Sequence, residues 1–323
     1  MNIKNLTDNI INEYKITRED AIKLLNSDLS ELCYYANKIR EHFMGNLFDI
    51  CTIINAKSGN CSEDCKFCAQ SSFYNTKIEN YSIISEEKII EDAEYNYKKG
   101  ILRYSPVISG KRPTNYELDT ICSAMKKVKS KTNLKTCVSL GLLNKNQLLK
   151  LKKAGIDRIH NNIETSREYF RNVCTTHTFD DKLNLIQEAI ELGFSVCSGI
   201  ILGLGESNFD RIDMAFTLRE LNIKSIPINI LNAIEGTPYE NNKKISNDEI
   251  KRFIAIFRFI NPDSYIRLAG GRILLEDKGK DCFISGANAC ISGDMLTTLG
   301  TTIDFDIKMV ESLGYKVGLN KYE

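Results

Sequence analysis

From about residue 48 onward, short apolar runs rich in β-branched and aromatic residues alternate with stretches of helical periodicity, and no Pro/Gly/Ser linker interrupts them. The runs are FDICTIIN from Phe48, ILRYSPVI from Ile101, KTCVSLG from Lys135, DRIHNNIE from Asp157, FSVCSGIILG from Phe194, SIPINIL from Ser225, SYIRLAG from Ser264 and ANACIS from Ala287. The helices between them carry their own boundaries. Thr114 to Glu117 and Ser246 to Glu249 have capping-box spacing, and Gly100, Gly155, Gly193 and Gly314 stand where a helix C-terminus needs a left-handed residue.

Eight strand–helix units predict a closed TIM-type (β/α)8 barrel over residues 46–323, in preference to an open doubly wound sheet. Residues 1–45, including ITREDAIKLLN and LSELCYYANKIREHF, predict amphipathic helices added ahead of that barrel. In such barrels the active site lies where strands end and helices begin, so the loop after the first strand is expected at the mouth. The chain contains no internal repeat or low-complexity tract.

Composition adds exclusions. The 323 residues are 42% hydrophobic and 26% charged with a net charge of +1, so no field calls for nucleic acid or an anionic membrane. MNIKNLTDNIINEY lacks an apolar core of signal-peptide length, no apolar run approaches the roughly 20 residues of a membrane span, and the expected location is cytoplasmic. In that compartment 11 cysteines point to metal chemistry rather than disulfides. Cys33, Cys51 and Cys122 sit in apolar patterns and read as core thiols.

The run CSEDCKFC sets Cys61, Cys65 and Cys68 on one short loop. Three thiolates so spaced can hold a four-iron cube and leave its fourth iron open to an exogenous ligand. A zinc site would ordinarily use two CxxC pairs or a Cys/His set, and none of His42, His160 and His177 is beside the loop in sequence.

CxxxCxxC, with Phe67 before its last cysteine, resembles the signature of the radical S-adenosylmethionine (SAM) superfamily. CAQSS after Cys68, HNNIETS from His160, TTHTFDDK from Thr175, VCSGIILGLGES from Val196, IPIN from Ile226 and YIRLAGGR from Tyr265 together resemble biotin synthase. The resemblance covers nearly the whole barrel. It implies a [4Fe-4S] cluster on Cys61, Cys65 and Cys68, SAM chelated to its open iron, and sulfur insertion into dethiobiotin from an auxiliary iron–sulfur cluster, either [2Fe-2S] or a variant of higher nuclearity.

Further site residues follow from the same likeness. Asn162 and Glu164 match a strand-four pair that contacts the SAM ribose and substrate, and Lys182 stands where relatives commonly have an Arg for the methionyl carboxylate. A point charge there replaces a bidentate fork. Ile201 is implied as the adenine contact, with Gly203 and Gly205 allowing close backbone approach. Asn229 matches the asparagine that recognises the ureido group. The likeness also implies a protein reductant such as flavodoxin or ferredoxin, and a homodimer.

One position departs from the pattern. Cys137, Cys197 and Arg267 match three of the four usual auxiliary-cluster ligands, and the fourth is Ser105, a poor iron ligand unless ionised. Ser105 as alkoxide, substitution by another cysteine, and a different cluster type all remain open, the last two in combination being preferred. Among the other cysteines Cys174, Cys282 and Cys290, the last is chosen because a side chain on the eighth strand can point inward. Two other readings compete: a related barrel enzyme of methylornithine synthase or hydrogenase-maturase type, and a non-catalytic iron–sulfur carrier.

Overall fold

The computed structural model describes residues 2–319; residue 1 and residues 320–323, the outermost ends of the two expected segments, lie outside that range. Three helices come first, α1 (Ile3–Ile11), α2 (Arg18–Leu24) and α3 (Leu29–Met44). Strand and helix then alternate: β1 (Leu47–Lys57), α4 (Glu86–Lys98), β2 (Arg103–Ile108), α5 (Asn115–Lys131), β3 (Lys135–Val138), α6 (Lys145–Lys153), β4 (Arg158–His160), α7 (Phe170–Val173), α8 (Phe179–Glu191), β5 (Ser195–Cys197), β6 (Ile200–Leu202), α9 (Asn208–Glu220), β7 (Ser225–Ile230), α10 (Asn247–Ile260), β8 (Tyr265–Leu268), α11 (Lys280–Phe283), β9 (Ala289–Ser292), α12 (Ile303–Ser312) and β10 (Lys316–Val317).

All the strand pairings are parallel, and β9 returns to pair with β1, which closes the sheet into a TIM-type barrel. β5 and β6 together occupy one strand position, and β10 adds a two-residue pairing to the start of β1. FSVCSGIILG is therefore one strand with a gap. Both halves keep the same offset to β7, Cys197 opposite Ser225 and Ile200 opposite Ile228, so no residue is inserted. Opposite the gap stands Pro227, which has no N–H to give the ladder. Ser198, whose N–H donates to Ser225 O on that side (3.1 Å), therefore receives no ladder bond from Pro227 at its carbonyl, while the Gly199 N–H points the other way, to Asn162 Oδ1 at 3.0 Å.

The helices start on reciprocal caps at Thr17/Asp20, Thr114/Glu117, Asn144/Gln147, Thr178/Asp181 and Ser207/Asp210. Ser246 caps α10 through the Glu249 N–H, but the Glu249 carboxylate pairs with Arg211 and does not complete the expected box. Gly100, Gly155, Gly193 and Gly314 all have positive φ, as a helix C-terminus requires.

Strand alternation sorts the barrel into two surfaces. Ile50, Tyr104, Val138, Ile159, Ile226, Ile266, Leu268 and Cys290 face the helices and belong to the main apolar core. The inward set is polar at its floor, where Arg103, Arg158 and Arg267 are nearly inaccessible to solvent. A barrel interior is ordinarily filled by bulky aliphatic side chains, so a charged floor points to a bound group.

Candidate functional site

The inward faces enclose a cavity of about 400 Å³ that runs from the cysteine loop to this floor. That volume suits a small-molecule site.

At the mouth, Cys65 and Cys68 line the cavity and Cys61 begins the loop, its N–H donating to Gln70 O (2.9 Å) and its carbonyl accepting from Ser72 N (2.8 Å). Asp64 anchors the turn. Its Oδ1 accepts from Thr175 N (2.8 Å), Thr176 N (3.1 Å) and Cys174 Sγ (3.1 Å). Burial opposes its ionisation, yet these bonds and one from the Thr175 hydroxyl hold the carboxyl well below its ordinary range. Burial pushes the Cys68 thiol up to about 11.

The fold brings His177 to this loop, which its place in sequence did not reveal. His177 Nδ1 lies 2.6 Å from Glu63 Oε2 and 3.3 Å from Cys174 Sγ, and Cys174 Sγ lies 3.7 Å from Cys65 Sγ. Among the described residues the tightest potential ligand group is accordingly Cys65, Cys174 and His177, all within 4.8 Å of one another. The donor set of the loop nevertheless suits a site-differentiated cube, since three half-buried thiols stand on one short segment with one side open to the cavity.

Above the floor, Asn162, Glu164, Lys182, Ile201 and Asn229 all line the same cavity. Glu164 has φ of +66°, an uncommon conformation for a residue with a Cβ. Two backbone bonds hold it there, Glu164 N to Gly199 O (3.2 Å) and Ile201 N to Glu164 O (2.8 Å). Its buried Oε2 has no partner among the described residues, as expected of an acceptor aimed at a ligand. Phe67 packs with Val173, Ile201, Leu204 and Tyr239 in a small apolar cluster apart from the main core, a surface able to take a flat base. Gly205 has φ of +106°, a conformation that a residue with a Cβ rarely adopts, so glycine fits this turn beside Tyr169. Asn229 bridges two strand ends, Nδ2 donating to Ile200 O and Oδ1 accepting from Gly270 N, each at 2.9 Å. One amide hydrogen and one lone pair remain for a ligand.

At the floor, Cys137 and Cys197 line the cavity with Ser105 and Arg267. Ser105 is a hydrogen-bond partner of Cys137. Burial would raise the Cys197 thiol, but His160, Arg158 and Arg267 bring it down to about 6. Arg267 is paired with buried Asp49 and donates to Cys290 O (2.9 Å) and Cys51 Sγ (3.2 Å). Buried thiols ringed by guanidinium groups suit an anionic iron–sulfur cluster.

Two sequence expectations fail here. Cys290 pairs in register with Ile50 and Leu268, both outward-facing, so its side chain lies in the helix–sheet core beside Arg272 and Asp306 and not in the cavity. Cys51, read as core, is inward-facing and lines the cavity. His160, to which no role was given, is in register with Cys197 and hydrogen-bonded to it.

Comparison with known proteins places the chain among relatives. The radical SAM superfamily model matches residues 56–218, and the biotin and thiamin synthesis associated domain matches residues 227–316. A biotin synthase of Brachyspira hyodysenteriae is 53% identical over 99% of this chain and 96% of its own. One from Clostridium botulinum is 52% identical over 96% of this chain and 100% of its own. Among solved structures, a methylornithine synthase superposes with a TM-score of 0.86 at 24% identity over 97% of both chains. A maturase of the [FeFe]-hydrogenase superposes at 0.83 and 18% identity over 99% of this chain and 76% of that one, so these two likenesses concern the fold.

Proposed function

Because the chain belongs to the biotin synthase family of the radical SAM superfamily, and is thereby a radical SAM sulfurtransferase that converts dethiobiotin to biotin, we propose how its residues divide that work. Among the described residues, the barrel from residue 46 onward is the catalytic unit and the helices before it are a packed extension. The family uses a [4Fe-4S] cluster and SAM, and Cys61, Cys65 and Cys68 hold the cluster at the barrel mouth. The chemistry these groups supply when bound is reductive cleavage of SAM to a hydrogen-abstracting radical, with sulfur delivered by an auxiliary cluster at the floor.

Phe67 and Ile201 receive the adenine in the small apolar cluster, and the unpartnered Glu164 Oε2 accepts from a ribose hydroxyl. Asn162, fixed by the Gly199 N–H, presents its amide to ribose and substrate. Lys182 offers a point charge to the methionyl carboxylate, a looser grip than a guanidinium fork. Asn229 gives its remaining donor and acceptor to the ureido group. Cys137 and Cys197 hold the auxiliary cluster, while Arg103, Arg158 and Arg267 offset its charge. The barrel wall excludes water, so that the radical meets only the bound substrate.

The single observation that carries this division is the layering of one cavity: thiols at its mouth, thiols and guanidiniums at its floor, and Asn162, Glu164 and Asn229 between them. The test is anaerobically reconstituted protein given dethiobiotin, SAM and a low-potential reductant such as flavodoxin or ferredoxin, with biotin and 5′-deoxyadenosine quantified together. Both products are expected. Deoxyadenosine without biotin, in conditions where a known biotin synthase works, would overturn the assignment of the floor. The active form is a homodimer, and a monomer in sedimentation equilibrium would contradict that.

A further inference from the structure

Ser105 leaves the floor one thiol short of the family pattern, and Cys290 cannot supply it because it faces outward. Cys51 can. On β1 it pairs with Arg103 of β2 and Ile291 of β9, all three lining the cavity. Cys197 is the common electrostatic neighbour of Cys51 and Cys137, so the three thiols converge on one volume.

Arg267 is not built as a metal ligand here. Its guanidinium is paired with Asp49, which is fully buried directly beneath it, and it donates towards the Cys51 sulfur at 3.2 Å. A protonated guanidinium has no lone pair for iron, and a buried carboxylate partner keeps it protonated. Ser105 hydrogen-bonds to Cys137, and its hydroxyl is a poorer donor to iron than a thiolate. Three thiolates in a buried site need compensating cations, and Arg103, Arg158 and Arg267 line the same floor.

We propose that Cys51 is the third thiolate ligand of the auxiliary iron–sulfur cluster, taking the place that Ser105 vacates, and that Arg267 acts as a charged hydrogen-bond donor to the ligand sulfurs rather than as an iron ligand. This rests on the biotin synthase reading of the floor.

The test removes the mouth cluster first. A parent variant, Cys61→Ala/Cys65→Ala/Cys68→Ala, is reconstituted anaerobically with iron and sulfide, and its iron, acid-labile sulfide and Mössbauer spectrum are recorded. Adding Cys51→Ala is expected to lower bound iron at least fivefold, whereas adding Cys290→Ala leaves both iron and spectrum as in the parent. In the otherwise wild-type chain, Cys51→Ala should still assemble the mouth cluster, which shows that the barrel folds. Unchanged iron and an unchanged spectrum after Cys51→Ala would overturn the ligand assignment alone. A parent that binds no iron would overturn the auxiliary-cluster reading itself, and this assignment with it.

Discussion

Asp64 ties the cysteine loop to the segment before α8, accepting from Thr175, Thr176 and Cys174. Its folded pKa is depressed, so its contribution to stability is complete above the unfolded value of roughly 3.9 and is lost as pH falls through and below it. Between pH ~5 and ~3 the urea midpoint of the wild type should therefore fall more steeply than that of Asp64→Asn; parallel curves would remove Asp64 as the acid-sensitive anchor. Cys290→Ala should keep full iron and biotin yield and lower stability by about 1 kcal/mol, the cost of a small core deletion, which calorimetry and iron analysis can check. The thiols of CSEDCKFC were legible because their relation is local to one loop. Cys51 and Cys290 were not, because β1 and β9 are buried on both faces and FDICTIIN and ANACIS read as near-continuous apolar runs. Without a polar face to set the phase, a shift of one residue exchanges inside for outside. His177 and His160 were missed for another reason: His177 meets Glu63, and His160 meets Cys197, only through tertiary contact.

The alternation of strands and helices was readable because caps and glycines mark the ends, but the gap in FSVCSGIILG was not. It depends on Pro227, which lies opposite Gly199 on a strand distant in sequence. A Cβ at Gly199 would stand 1.9 Å from Pro227 O, so Gly199→Ala must push β6 away from β7. The expected cost is about 1–3 kcal/mol, as for overpacking, together with a raised KM for SAM because Asn162 loses its anchor. Denaturant titration and SAM-dependent kinetics measure the two effects, and a variant normal in both would show that the gap tolerates a side chain. Thr178→Ala, at the cap of α8, should cost about 1 kcal/mol in the same titration with little effect on KM.

Across the whole molecule, α3 lies against α10, burying Leu32, Ala36 and Ile39 completely. Leu32 and Ile39 alone correspond to roughly 3–6 kcal/mol of apolar burial, comparable with the net stability of many domains. A chain lacking residues 1–45 should therefore be recovered mainly in the insoluble fraction or bind a hydrophobic dye; a soluble, dye-silent barrel would make the extension dispensable. No helix among the described residues is long and apolar enough to cross a membrane. The shared strand position of β5 and β6 has a consequence for molecular size. Cys197 closes β5 and Ile201 lies within β6, four residues further along, so at strand rise they are separated by at most roughly 13 Å. The backbone thus acts as a gauge: a molecule that must touch both levels at once is measured against a fixed length of chain, and one too short or too long is rejected by geometry even when each of its ends would bind.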